Sequence, residues 1–222
     1  MEITHIQNIS YYDEIAGVYD KMMNEQESNK IVRRKVAEKF LKIVPSGKVL
    51  DFGGGTGLDL EWLTTNHQVV FCEPSTSMRK RALAFSEKGL PNAVYFLTGP
   101  DTDFTNWGET PPFSPAADAI LANFAVINCI SDIHLFFQNM AGILKSGGPL
   151  IALVLRTRIR YAIKFYFDRK PLTYKIKFNN HQQTVFVHSI KAIRKAADPH
   201  FYFCAVESLA DSDFLLMNLI RK

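Results

Sequence analysis

The chain has 222 residues, 47% of them hydrophobic and 22% charged, with a formal net charge of +4. A chain of this length and apolar content fills one core of its own, which excludes intrinsic disorder. The longest apolar stretch, Pro149 to Leu155, falls far short of the roughly 20 residues of a membrane span. Cys72, Cys129 and Cys204 are widely spaced and form no CxxC or Cys/His cluster, which argues against a disulfide framework or a structural zinc and excludes a metal centre from the expectations. Met1 to His5 lacks the basic-then-apolar pattern of a secretory signal, so a cytoplasmic protein is expected.

The chain begins with residues 1–45, which read as a helical cap. Within them residues 29–43 carry Ile31, Val32, Val36, Phe40 and Leu41 at helical spacing. Pro45-Ser46-Gly47 stops that helix, and Lys48 to Phe52 is a first apolar strand running straight into glycines. Leu58 to Thr64 reads as helix, Gln68 to Cys72 as strand two, Ser77 to Lys88 as a basic helix and Ala93 to Leu97 as strand three. Residues 99–116 read as a loop. Ala117 to Ala122 is strand four, Ile133 to Leu144 helix, and Leu150 to Leu155 strand five. Strands and helices alternating at this spacing specify βαβ units and a parallel sheet.

The pattern changes after Arg156. Residues 158–168 predict a basic, aromatic helix, and 173–178 with 184–188 predict a hairpin around Asn179-Asn180-His181. Ser189 caps a helix to Ala197. Phe201 to Ser208 and Phe214 to Ile220 then form two antiparallel strands. The expected architecture is therefore α/β: a doubly wound, Rossmann-like, seven-stranded sheet in three layers, mostly parallel with an antiparallel C-terminal hairpin. It forms one domain over 1–222, with residues 156–188 as an insertion of helix plus hairpin over the acceptor side.

The informative segment is Val49-Leu50-Asp51-Phe52-Gly53-Gly54-Gly55-Thr56-Gly57. Glycines between a strand and a helix let backbone N–H groups approach a ligand closely. A dinucleotide fingerprint requires Gly or Ala where Leu58 stands, and a phosphate P-loop requires a lysine that is absent. The spacing present is DxGxGxG, followed after strand two by Glu73-Pro74-Ser75 and Met78.

These residues resemble class I S-adenosylmethionine-dependent methyltransferases of the small-molecule type, whose first motif is (V/I)LDxGxGxG. Tyr12 to Asp20 is similar to that family's "AxxYD" segment, Ala117 to Phe124 to its fourth motif, and Gly142-Ile-Leu-Lys-Ser-Gly-Gly148 to its "LKPGG" turn, with Ser146 in place of Pro. The resemblance covers about residues 11–155 and the last two strands. It implies S-adenosylmethionine as cofactor, with the methionine part over Asp51, Gly53, Gly54, Gly55, Thr56 and Gly57. It also implies the ribose on Glu73 and the adenine between Pro74, Met78 and the loop holding Asp101 and Thr102. Asn123 and Phe124, after strand four, complete the expected cofactor set. A carboxylate suits the ribose because it accepts from two hydroxyls at once. For the adenine amino group either Asp101 or Asp103 serves, Asp101 being preferred.

Methyl transfer from a sulfonium demands alignment more than acid–base chemistry. Asn123-Phe124-Ala125-Val126 lacks the prolines of the adenine-methylating motif, and Cys129 follows Asn128 rather than Pro, so two nucleic-acid subclasses are disfavoured. Tyr12, Tyr19, Phe124, Ile127-Asn128 and the 156–188 segment are expected to frame a pocket for a small or lipid-like acceptor. His188 is the candidate base and Tyr19 the other candidate catalytic residue. The alternative is an RNA methyltransferase or RNA-binding module. Residues 1–155 carry 13 basic against 17 acidic side chains, whereas 156–222 carry 13 against 5, an electrostatic footprint that meets phosphates.

Overall fold

Val49, Leu50, Val69, Val70, Ile120 and Leu121 are all fully buried, so the strands carrying them need cover on both faces. A computed structural model, describing residues 3–108, 110–156, 171–209 and 212–222, shows how that cover is built. In chain order the elements are α1 (Ile3–Glu25), α2 (Glu27–Ile43), β1 (Gly47–Phe52), α3 (Leu60–Leu63), β2 (His67–Cys72), α4 (Thr76–Ser86) and β3 (Val94–Phe96). They continue with β4 (Ala119–Ala122), α5 (Ile133–Ile143), β5 (Pro149–Leu155), β6 (Leu172–Phe178), β7 (His181–Val187), α6 (Ile190–Ala197), β8 (Phe201–Ser208) and β9 (Phe214–Arg221).

Seven strands form one sheet in the order β3-β2-β1-β4-β5-β9-β8. The first five are parallel, with Leu50 opposite both Val70 and Ile120. β9 and β8 close the sheet antiparallel, Ala152 facing Met217. Alternate side chains sort to opposite faces. Leu50, Val70, Ile120 and Leu150 pack with Phe136 and Met140 of α5 and Ile193 of α6. Val49, Val69, Leu121 and Ile151 pack with Val32, Val36 and Phe40 of α2. The expected three-layer α/β architecture is the one observed. Among the described residues no helix is long and apolar enough to cross a membrane.

Capping follows the local sequence. Ser75 Oγ accepts from Met78 N at the start of α4, Asp132 from His134 N and Leu135 N at α5, and Ser189 from Ala192 N at α6.

The N-terminal segment read as a helical cap holds two helices. Residues 3–25 form a helix longer than α2, and its Tyr11, Ile15 and Ala16 pack on Met78. Two side chains pin α1 to the sheet's carboxyl end. Asp13 accepts from Ser75 Oγ and Ser77 N, both at 2.7 Å, and Asp20 accepts from Thr56 Oγ1 and, at 3.0 Å, Arg81 Nη2.

The expected hairpin is present as a separate two-stranded sheet. Its loop is shorter than expected, because Asn179 adopts φ 50° and a two-residue turn joins Phe178 to His181. The helix expected over 158–168 lies outside the described residues. β7 is not a detachable cover. Thr184, Val185, Phe186 and Val187 are buried. Asn8 also pairs with the Thr184 backbone, donating to its carbonyl at 3.0 Å and accepting from its N–H at 2.7 Å.

Candidate active site

The carboxyl ends of β1, β2 and β4 open into one crevice, beside the point where strand order reverses between β1 and β4. It is bounded by Asp51 and Gly53 to Thr56 after β1, Glu73, Pro74 and Met78 after β2, Thr102 after β3 and Asn123 and Phe124 after β4. Tyr12 and Tyr19 of α1 form its roof.

The glycines do different jobs. Gly55 has φ +61°, and a Cβ there would meet nothing closer than Tyr19 Cε1 at 3.8 Å, so its outer side is open crevice. Gly57, with φ +83°, is instead a packing glycine. A Cβ on it would lie 2.9 Å from Leu60 Cδ1 and 3.0 Å from Ala82 Cβ, and Gly57 does not border the crevice. Its expected place among ligand contacts is corrected: it lets α3 and α4 approach the loop.

Three carboxyls meet here. Glu73 is 6% exposed, and its two oxygens accept from Gly55 N at 2.9 Å and Ser75 N at 2.8 Å. Burial pushes its pKa up to about 7, against the pull of those two N–H donors. Asp51 is 1% exposed, and its Oδ2 has no hydrogen-bond partner. Burial, reinforced by neighbouring Asp59, holds its carboxyl well above the usual carboxylate range. Asp59 is fully occupied, accepting from Arg33 Nη1 at 2.7 Å, Trp62 Nε1 at 2.9 Å and Asn123 Nδ2 at 2.8 Å.

Arg33 was invisible to motif reading, as one of several basic residues on an amphipathic helix. It borders the crevice, with its guanidinium 4.5 Å from the centre of the Phe124 ring. Phe124 (φ 49°) and Ala125 (φ 64°) are both left-handed, a conformation that costs non-glycine residues about 1–2 kcal/mol each. Such strain concentrates at functional sites.

Asp101 is exposed and does not border the crevice, whereas Thr102 does. Asp103 does not border the crevice either, and its Oδ1 accepts from Thr105 N and Thr105 Oγ1 at 3.1 and 2.7 Å. The reason is the one-turn 3-10 helix Gly99–Thr102, which turns Asp101 outward. His188 is likewise misplaced as a base. Its Nε2–H donates to Ile130 O at 2.8 Å, its ring stacks on Phe186, and burial lowers its pKa. It braces β7 and does not border the crevice. Tyr19 does, but burial pushes its phenol far above the usual range, so it stays protonated.

A second cavity of about 270 Å³ adjoins the crevice, the two sharing Tyr12, Tyr19 and Phe124. Tyr174 and Ile176 of β6 and Gln183 of β7 border it, while Lys175 and Lys177 face away into solvent. Alternation along β6 gives the strand these two faces. Cys129 is partly buried, lies 3.5 Å from Tyr12 Oη and borders the crevice.

Known proteins share this fold. Residues 50–150 match the family model described as "Methyltransferase domain". Over those residues the chain is similar to the methyltransferase family that its glycine motif resembles. No curated protein matches its sequence. Its fold resembles a structure described as "DhpI-SAM-HEP complex" (TM-score 0.75, 17% identity, 99% of each chain). It also resembles a S-adenosylmethionine-dependent methyltransferase from Clostridium acetobutylicum (0.66, 15%, 95% of this chain and 98% of that one). A third is the N-methyltransferase NodS from Bradyrhizobium japonicum with S-adenosyl-l-homocysteine (0.64, 12%, 90% of each).

Proposed function

We propose that the chain is an S-adenosylmethionine-dependent methyltransferase acting on a small or amphiphilic acceptor. The observation that carries this reading is the pair of joined cavities, the first built by the DxGxGxG loop and Glu73. The residues present fit the cofactor. Gly55 leaves open space for the methionine part, and Asp51 Oδ2 is a buried acceptor without a partner, suited to an ammonium. Glu73 offers two oxygens to two ribose hydroxyls, and Pro74, Met78, Thr102 and Phe104 make an apolar slot for adenine. The cofactor supplies an activated methyl group, and the chain supplies alignment. Asn123 acts indirectly, by holding Asp59 and, through its Oδ1, Phe124 N at 2.9 Å. The described neighbours named with an S-adenosyl ligand or a methyltransferase activity support the reading. An RNA methyltransferase or RNA-binding module gains no support from them.

Calorimetry with S-adenosylmethionine, S-adenosylhomocysteine and NAD tests it. The two S-adenosyl ligands are expected to compete for one site and NAD not to bind. NAD binding with no S-adenosyl affinity would overturn the reading.

Arg33 is the residue placed to meet the cofactor's carboxylate. Arg33→Ala is expected to weaken S-adenosylhomocysteine by about 1.5–3 kcal/mol, the scale of a charged hydrogen bond. The same variant should leave 5′-methylthioadenosine, which lacks the amino-acid part, nearly unchanged. Equal losses for both ligands would mean that Arg33 only braces Asp59.

A further inference from the structure

The polarity of the second cavity constrains what enters it, given the reading of the first as the cofactor site. Among the described residues, its lining contains no Lys, Arg, His, Asp or Glu side chain. Ile15, Met22, Met23, Ile176, Val185 and Phe214 give it apolar walls. A charged group entering such a cavity loses its hydration without gaining an ionic partner.

The polar side chains that border this cavity are neutral, and two of them, Tyr12 and Gln183, meet in one corner next to the crevice. Gln183 Nε2 donates to Tyr12 Oη at 2.8 Å and to Cys129 Sγ at 3.1 Å. Tyr12 also borders both cavities, so this corner lies where acceptor and cofactor meet. Tyr12, Tyr19 and Cys129 are all driven toward their protonated forms by burial. None of them takes a proton from an alcohol or a phenol at neutral pH.

We propose that the acceptor is an uncharged amine on an apolar body, its nitrogen held in the Tyr12–Gln183 corner and its body among the methionines and Ile176. An amine needs no base before attack, because its lone pair is already free. The nitrogen lone pair forms the new N–C bond while the S–C bond breaks and its electron pair returns to sulfur. The positive charge passes from sulfur to nitrogen, and the product ammonium gives its N–H proton to water. The neutral body selects the neutral amine, and the corner orients its N–H.

The test uses the full chain saturated with S-adenosylhomocysteine, whose binding is measured first. Failure at that step would remove the cofactor reading itself. Calorimetry then compares N-methylaniline, uncharged at neutral pH, with benzylammonium and benzoate, ions of similar size. N-methylaniline is expected to bind about tenfold more tightly than either ion, and to yield N,N-dimethylaniline when S-adenosylmethionine replaces the product. An ion binding as tightly, no binding of N-methylaniline to a chain that holds S-adenosylhomocysteine, or faster methylation of phenol would overturn the proposal. Ile176→Asp places a carboxylate in the cavity from a strand position that is 39% exposed, where folding tolerates it. Benzylammonium is expected to gain about tenfold in that variant. Unchanged selectivity would show that the cavity does not hold the acceptor.

Discussion

Gly55→Val is expected to abolish binding of both S-adenosyl ligands while leaving a folded protein. The φ of +61° strains any β-branched side chain, at about 1–2 kcal/mol of stability. That cost alone does not unfold a domain of ordinary stability. The loss of binding has a separate origin. The nearest atom to a new Cβ is 3.8 Å away, so the added methyl groups project into the crevice and take the ligand's place. Gly55→Ala, with a single methyl, should weaken binding less. Gly57→Ala should do the reverse, losing stability first, because its Cβ would press on Leu60 and Ala82. Circular dichroism and calorimetry on the three variants separate the effects. A folded Gly55→Val chain with wild-type affinity would mean that no ligand lies over the loop.

Glu73→Ala is expected to weaken S-adenosylhomocysteine by about 1.5–3 kcal/mol, roughly 10- to 150-fold. The same carboxyl sets a pH dependence with opposite signs for folding and for binding. Its pKa is raised from 4.5 to about 7 in the folded protein. Its contribution to stability is therefore present below 4.5 and lost as pH rises through about 7. Ribose hydroxyls need the ionised acceptor, so binding runs the other way. Affinity is expected to rise about tenfold per unit as pH climbs toward 7, and to level off above it. Asp51, whose pKa burial also raises, steepens that rise if it meets the cofactor's ammonium. Binding below pH 7 should release protons, which calorimetry in buffers of different ionisation enthalpy detects. Glu73→Gln should flatten the profile by one proton. An affinity that does not change between pH 5.5 and 8 would remove Glu73 from the site.

The parts of the site legible in the sequence share one property: each is a local signal tied to a strand end. Gly53 to Thr56, Glu73 and Asn123 each follow an apolar run, and a doubly wound sheet brings such positions to one edge. Asp101 followed the same logic and failed, because a single 3-10 turn rotated it to the surface and left Thr102 facing inward. His188 failed for another reason. Position beside a hairpin suggests proximity to a site, but it says nothing of which carbonyl will take the ring N–H.

By itself the sequence determined the α/β alternation, the glycine loop and the acid after strand two. These rest on periodicity, on glycine's access to positive φ and on short spacings, all of which act within a few residues. Tertiary structure alone decided the roof, the position of Arg33 and the polarity of the second cavity. Asn8 meets Thr184 across 176 residues, and Gln183 meets Tyr12 across 171. Arg33 reaches Asp59 across 26, from a helix on which Lys30, Arg34 and Lys42 are exposed. Pairings of this kind depend on how packed helices and strands are oriented, and no local pattern of residue types encodes that orientation.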